Sequence, residues 1–427
     1  MTEEERAAVR ARVAAGKGLQ TSREVRQLIV QHYSEAHEAH SKGKLVAWLT
    51  ALSPVELVYA MDVYPVFPEN YAAACAASGV APEFMDVTES RGYSTDLCSY
   101  FRANFGHAIT GEGPMDGLPK PDFLLATGNA CYQRVKWWET LSHTLNCPLF
   151  FVDVPTAGEY SDYAINYFTS QMEDLISFIE KKTGQKLDNQ KLRESIQLSD
   201  QTGALWTELM DLRRRVPCPF GMLDALSDMF VLVTSVGTKA PVDLLQRVRD
   251  EVKDVAEHGI GVVPNEKYRI FFDNIPPWFD LKLVKHFQGY GGSFVVEPYT
   301  QFVWSSRMDP SKPLRSLAVK YVTLGLEDLD KKYPKLGLKD PEKSGFDIRI
   351  LLSTQFAKEY SVNAAVIHWN KSCKQMSIGE MEVKNALQEL GIPVLVFEGD
   401  MADQRFYQEE QVKTKIDAFF EMLGSQK

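Results

Sequence analysis

Three cysteines, Cys98, Cys131 and Cys373, each sit beside a strand or turn signal and just ahead of a helix-like run. Cys131 follows the apolar run 121–130 (PDFLLATGNA) and Cys373 follows 364–372 (AAVIHWNKS), so both are expected to leave the carboxyl end of a buried strand. Ligands of open α/β sheets bind at that edge. The following runs, 132–141 and 374–381, would offer helix amino-termini, where unpaired N–H groups stabilise a thiolate. Distant thiolates converging on one point could hold a four-iron cluster with one iron open, or a zinc ion with its fourth position left for histidine or water. They could also be packed thiols, because free cysteine is among the most buried residue types. Their spacing matches none of the local zinc or ferredoxin patterns, in which ligands lie close together, so spacing alone leaves these occupants open.

A chain of 427 residues exceeds the size at which one core usually stops growing, and its 44% hydrophobic content can fill more than one. No uncharged apolar run approaches the roughly 18 residues of a membrane span, and residues 1–6 (MTEEER) lack a secretory apolar stretch, so a cytoplasmic protein without a membrane segment is expected. Six cysteines in so long a chain fit a reducing compartment rather than a disulfide framework. The net charge of −10 argues against nonspecific nucleic-acid binding.

Residues 1–43 read as a charged helical arm, in which His37 and His40 would share a helix face that suits water better than metal. A first α/β domain is expected over 44–160, with strands at 44–50, 121–126 and 148–154. A helical region spans 161–262, where Ile165, Phe168, Met172, Leu175, Ile176 and Ile179 line one face of a helix that Ser161 can cap. A second α/β domain covers 263–427, with strands at 268–273, 292–297, 364–368 and 392–397 and a closing helix near 414–423. The two α/β units could be structural echoes, and a site between them would bring Cys131 and Cys373 together.

Several stretches carry a more specific likeness: 52–60 (LSPVELVYA), 69–73 (ENYAA), 96–100 (DLCSY), 368–374 (HWNKSCK) and 391–400 (GIPVLVFEGD), with Asp403 and Arg405. In these the chain resembles the family of 2-hydroxyacyl-CoA dehydratase and class I benzoyl-CoA reductase subunits, over nearly its whole length after the arm. The resemblance implies an α/β fold: two flavodoxin-like or Rossmann-like domains with short parallel sheets, beside the helical arm and helical middle region. It implies a 4Fe-4S cluster held by Cys98, Cys131 and Cys373, and an acyl-CoA substrate. It further implies a homologous second cluster-bearing subunit and a separate ATP-hydrolysing iron-sulfur activator, with ferredoxin as upstream donor. No G-x-x-x-x-G-K-[ST] occurs, which assigns ATP to the partner. Residues 65–77 and 369–405 look most like the benzoyl-CoA reductase branch, and the dehydratase is the alternative. A non-catalytic electron-transfer or zinc scaffold is the reading from a different class.

Ser53 and Glu69 lie where this family lines its substrate pocket. Glu69, in the expected loop 64–70, would be a carboxyl group in apolar surroundings and suited to proton transfer, or else a surface turn residue. Ser53 would touch substrate, or cap a helix ahead of Pro54. His368 could donate a proton or bond a cluster sulfur, or be a core histidine satisfied by backbone. Glu398, Asp400 and Asp403 look like a magnesium carboxylate group, but Arg405 favours a salt network. The aromatic loop 276–279 (PPWF), with Trp278 and Phe279, and Tyr299, Phe302 and Trp304 could wall a flat acyl group or form core between the domains.

Overall fold

The structure is a computed structural model that describes residues 2–155, 161–301, 307–340 and 342–425. Among the described residues, eight short strands form two sheets: β1 Val46–Leu49, β2 Tyr64–Val66, β3 Phe123–Thr127 and β4 Leu149–Val152 in the first, and β5 Tyr268–Asp273, β6 Gly292–Val296, β7 Ala364–Asn370 and β8 Val394–Gly399 in the second. Every pairing is parallel, and the strand orders, β2-β1-β3-β4 and β6-β5-β7-β8, repeat one another. The two α/β units are indeed echoes. In each, the chain reverses its winding direction between the two central strands, so each sheet has a crevice at the carboxyl ends of those strands.

Seven of the eight strands lie where the apolar runs place them. β2 is the exception, because its Pro65 and the nearby Pro68 read as loop. Pro65 is tolerated since β2 is an edge strand and pairs on one side only. Pro68 then opens the helix Pro68–Ala77 at a position where its missing N–H is not needed.

Between the sheets in sequence run four helices: Asp162–Thr183, Asn189–Leu212, Met222–Ser235 and Lys239–Glu257. Ser161 caps the first, accepting the Ala164 N–H at 3.1 Å, and Ile165, Phe168, Met172, Leu175 and Ile179 are buried along its inner face, with Ile176 partly buried beside them. One apolar core joins these helices to both sheets. The arm consists of helices Glu3–Ala14 and Ser22–Glu38. His37 and His40 act separately there: His37 meets the carbonyl oxygens of Met115 and Gly117, while His40 pairs with Asp122 at 2.8 Å.

The arm rests on two carboxylates, the buried Glu251 and the partly buried Asp224. Glu251 accepts the Gln20 and Thr21 N–H groups at 2.5 and 3.0 Å, and Ser22 Oγ donates to Asp224 at 3.3 Å. Burial pushes the Asp224 pKa up to about 6 from 3.8; the Gly221 N–H and Ser22 oppose the shift, and Glu251 adds to it. The folded chain thus holds this proton more tightly than the unfolded chain. The stability it contributes is complete below the ordinary aspartate value and is lost as pH rises through about 6. Relative to an Asp224→Asn variant, the wild-type melting temperature should fall between about pH 4 and 7. A constant difference across that range would remove Asp224 as the titrating group.

Candidate functional site

Each of the three cysteines stands where a loop turns into a helix. Cys98 is the N-cap of helix Ser99–Thr110, and Cys373 is the N-cap of the short helix Lys374–Ser377, three residues past the end of β7. Cys131 follows β3 through a tight turn in which its N–H bonds the Asn129 oxygen at 2.6 Å and Ala130 takes φ 59°, a left-handed conformation that is uncommon outside glycine. Gly106 lets the Cys98 helix lie directly on helix Ala81–Ser90, since a Cβ there would come within 1.8 Å of the Phe84 carbonyl oxygen.

The three thiols converge. All are partly exposed, whereas Cys75, Cys147 and Cys218 are buried in separate packing positions. Burial raises the Cys98 pKa most; Cys373 and then Cys131 raise it further, against the N–H groups of Phe101 and Tyr100. Burial likewise pushes Cys373 up to about 12, with the Met376 N–H opposing and Cys131 adding. Left alone, Cys98 and Cys373 are therefore neutral thiols, and a bound cation would reverse that balance.

Among the described residues, no three His, Cys, Asp or Glu side chains are gathered tightly enough to hold one metal ion. A single zinc with Zn–S of about 2.3 Å would need its sulfurs within roughly 4 Å of one another. A four-iron cluster would instead take one thiolate on each of three irons. The donor set of three soft, convergent, partly open thiols fits such a cluster.

Ser53 is buried, and its Oγ lies 2.8 Å from Thr50 Oγ1, which in turn lies 3.0 Å from Thr127 Oγ1; Thr127 donates to Asn129 Oδ1 at 2.9 Å. This hydroxyl chain links the ends of β1 and β3. The helix after Ser53 is capped by Pro54 without a side-chain bond, so Ser53 is not its cap. Glu69 lies in the first turn of helix Pro68–Ala77 and is nearly buried. Its surroundings are not apolar: Arg134 Nε donates to it at 2.8 Å and the Ala51 N–H at 2.5 Å, while Arg134 also donates to the Ala51 oxygen at 2.9 Å. Arg134, three residues beyond Cys131, carries no mark in the sequence, because an arginine in a helix-like run looks like solvated surface.

His368 lies in the core of the second sheet. Its Nδ1 is 2.6 Å from the Ile275 oxygen and must carry the proton, its ring stacks on Phe397, and burial holds its pKa down at about 4. Nε2 is then bare and unpartnered, so the ring is neutral and that nitrogen has no proton to give. The acidic group after β8 forms the salt network: Asp403 pairs with Arg102 and Arg405, both at 2.8 Å, and Asp400 accepts backbone N–H groups. Glu398 is exposed. Trp278 Nε1 donates to the Tyr100 hydroxyl, and Trp278 and Tyr299 meet at 6.5 Å between ring centres. Tyr299 also feels the charges of Glu69 and Cys373, which puts this aromatic group beside the thiols. Phe302 and Trp304 lie outside the described residues.

The family model for the 2-hydroxyglutaryl-CoA dehydratase D-component matches residues 50–423, which takes in every strand but β1 and all three cysteines. The chain belongs to this family. It is 31% identical over 413 residues to the (R)-2-hydroxyisocaproyl-CoA dehydratase alpha subunit of Clostridioides difficile, covering 94% of this chain and 96% of the relative. It is 31% identical over 421 residues to the (R)-phenyllactyl-CoA dehydratase alpha subunit of Clostridium sporogenes, covering 95% and 98%, and the beta subunit of that enzyme is similar as well. It is 24% identical over 424 residues to one subunit of the benzoyl-CoA reductase of Thauera aromatica, covering 94% of each. Among the described residues, no helix is long and apolar enough to cross a membrane.

Proposed function

We propose that the chain is the iron-sulfur, substrate-handling subunit of an enzyme that eliminates water from an (R)-2-hydroxyacyl-CoA. The observation that carries this is the convergence of three partly exposed cysteines from separate loops beside the crevice that holds Ser53 and Glu69. Higher identity to two dehydratase alpha subunits than to the reductase supports the dehydratase, reversing the order in which the motifs alone rank the two branches.

Cys98, Cys131 and Cys373 would hold the cluster. Bound there, a 4Fe-4S cluster would supply a low-potential electron and an open iron that acts as a Lewis acid. The chain's own residues do the rest. The Ser53 hydroxyl, fixed by Thr50, orients the substrate through a hydrogen bond. Glu69, locked by Arg134 and the Ala51 N–H, is the acceptor for a substrate proton. Trp278 and Tyr299 would flank the acyl group and keep water from it. Such aromatic walls suit an aromatic side chain like that of phenyllactate, and equally a benzoyl ring, so reduction of benzoyl-CoA to cyclohexadienoyl-CoA is the second reading.

In either case a homologous partner subunit completes the complex, and a separate ATP-hydrolysing activator, charged by ferredoxin, delivers electrons. Similarity to both the alpha and the beta subunit of one enzyme supports the partner. The deciding assay offers the anoxic complex, with activator, ATP and reductant, phenyllactyl-CoA, 2-hydroxyisocaproyl-CoA and benzoyl-CoA in turn. Loss of a 2-hydroxyacyl-CoA to its enoyl-CoA is expected; ring reduction alone would hand the chain to the second reading. A colourless, iron-free protein would leave only a non-catalytic scaffold role.

Glu69→Gln should keep its iron while turnover drops about a hundredfold or more, the usual cost of losing a proton-transfer group. Full turnover would reduce Glu69 to a structural partner of Arg134.

A further inference from the structure

The three thiols come from two different sheets, so something must hold the two parts in register before a cluster can form. The residues next to the cysteines form a closed circuit that does this without metal. The Ser99 N–H donates to Ser372 Oγ at 3.1 Å, and the two hydroxyls are also 3.1 Å apart, so the neighbours of Cys98 and Cys373 are bonded directly to one another. Ser372 is anchored in turn: its N–H donates to Asp400 Oδ2 at 3.1 Å, while Asp400 Oδ1 accepts the N–H groups of Ala402 and Asp403 at 3.0 and 3.1 Å. Asp403 closes the loop, accepting from Arg102 Nη1 at 2.8 Å. Ser99 and Arg102 are three residues apart and share a face of the Cys98 helix. All five members, Ser99, Arg102, Ser372, Asp400 and Asp403, are at most 1% exposed. Water therefore does not compete for these bonds, and breaking one strands a buried polar group.

We propose that Ser372, anchored by Asp400, is the positioning residue of the cluster site: it pins Cys98 to Cys373 in the metal-free chain, so the cluster enters a site already built. This deepens the cluster reading and rests on it. A mere folding role would affect melting alone, whereas a positioning role must also appear in the proximity of the thiols and in the behaviour of the bound iron.

The first arm of the test needs no metal. In the full-length Cys131→Ser chain, stripped of metal under reducing, anoxic conditions, dibromobimane should bridge Cys98 and Cys373, as identified by peptide mapping. Adding Ser372→Ala should slow bridging about tenfold, the lower end of what outer ligand partners contribute. Both changes keep the anchor on Asp400, which the Ser372 N–H makes; Ser99→Ala, which loses the hydroxyl contact alone and keeps the Ser99 N–H bond, should slow bridging by a smaller factor and serves if the first variant melts early. Separate labelling of the two thiols, or bridging unaffected by either variant, overturns the proposal. In the second arm, Ser372→Ala with Cys131 intact should release its iron to a chelator about tenfold faster and change the electron paramagnetic resonance line shape of the reduced cluster. Equal release and an identical signal overturn the proposal. Bridging as expected in a protein that never holds iron would instead overturn the cluster reading and leave the pinned thiols standing.

Discussion

Serine at Cys98, Cys131 or Cys373 should remove iron and turnover together, whereas serine at Cys75 should remove neither. A hydroxyl is a hard, weakly acidic donor that replaces a soft thiolate poorly on iron. No spare thiol can step in: Cys75 packs inside helix Pro68–Ala77, Cys147 faces the Pro121 carbonyl at 3.5 Å, and Cys218 faces the Phe220 carbonyl at 3.3 Å. All three are buried, whereas the site cysteines are partly exposed, so neither a reagent nor iron reaches them. Iron and acid-labile sulfide analysis of anoxic protein should give about four irons in the wild type and in Cys75→Ser, and close to none in the three site variants. A site variant with full iron content would strike that cysteine from the ligand set.

Lys320→Met should destabilise the fold by about 3–5 kcal/mol, the usual consequence of stranding one member of a buried ion pair. Lys320 Nζ lies 2.5 Å from Glu56, and neither side chain is more than 2% exposed. Ser199 and Tyr321 donate to the same carboxylate at 2.6 and 2.7 Å. Burial pushes the Glu56 pKa up, but the charge and hydrogen bond of Lys320, with Ser199 and Tyr321, outweigh it, and the net shift is downward. In the wild type this group therefore adds stability that is present above the ordinary glutamate value and is lost as pH falls through the lowered one. Without Lys320 burial dominates, and the sign inverts: the variant should lose stability as pH rises from about 4.5. Denaturant titrations near pH 5 and 7.5 would show the variant weaker at the higher pH. Replacing Glu56 by Gln in the same chain should restore most of the loss, and failure to do so would mean that packing rather than stranded charge is responsible. The change reaches the site because the Glu56 helix begins two residues after Ser53.

How much of this is legible in the sequence follows from what each feature depends on. Parallel strands buried on both faces read as continuous apolar runs, so β1, β3, β5, β6 and β7 are visible, as are the apolar runs of the edge strands β4 and β8, and with them the placement of Cys131 and Cys373 at strand exits. β2 is not, because two prolines mask an edge strand. Glu69 stands out as a candidate, but its surroundings read wrongly as apolar, since Arg134 reaches it only once β3 and helix Gln133–Leu145 are in place. The hydroxyl chain from Ser53 to Asn129 and the bond between Ser99 and Ser372 are invisible for a similar reason. They join residues far apart in sequence, each ordinary in its own stretch. His368 draws notice because it precedes a cysteine, yet strand alternation with Trp369 exposed and His368 buried turns it into the sheet core.

The three cysteines divide unevenly. Cys98 and Cys131 ride on the first sheet and its helices, and Cys373 on the second. A cluster bridging them would be a rivet between the two halves as well as an electron store. Any motion that parts the halves would then draw off Cys373 first and leave a two-thiol remnant on the first half.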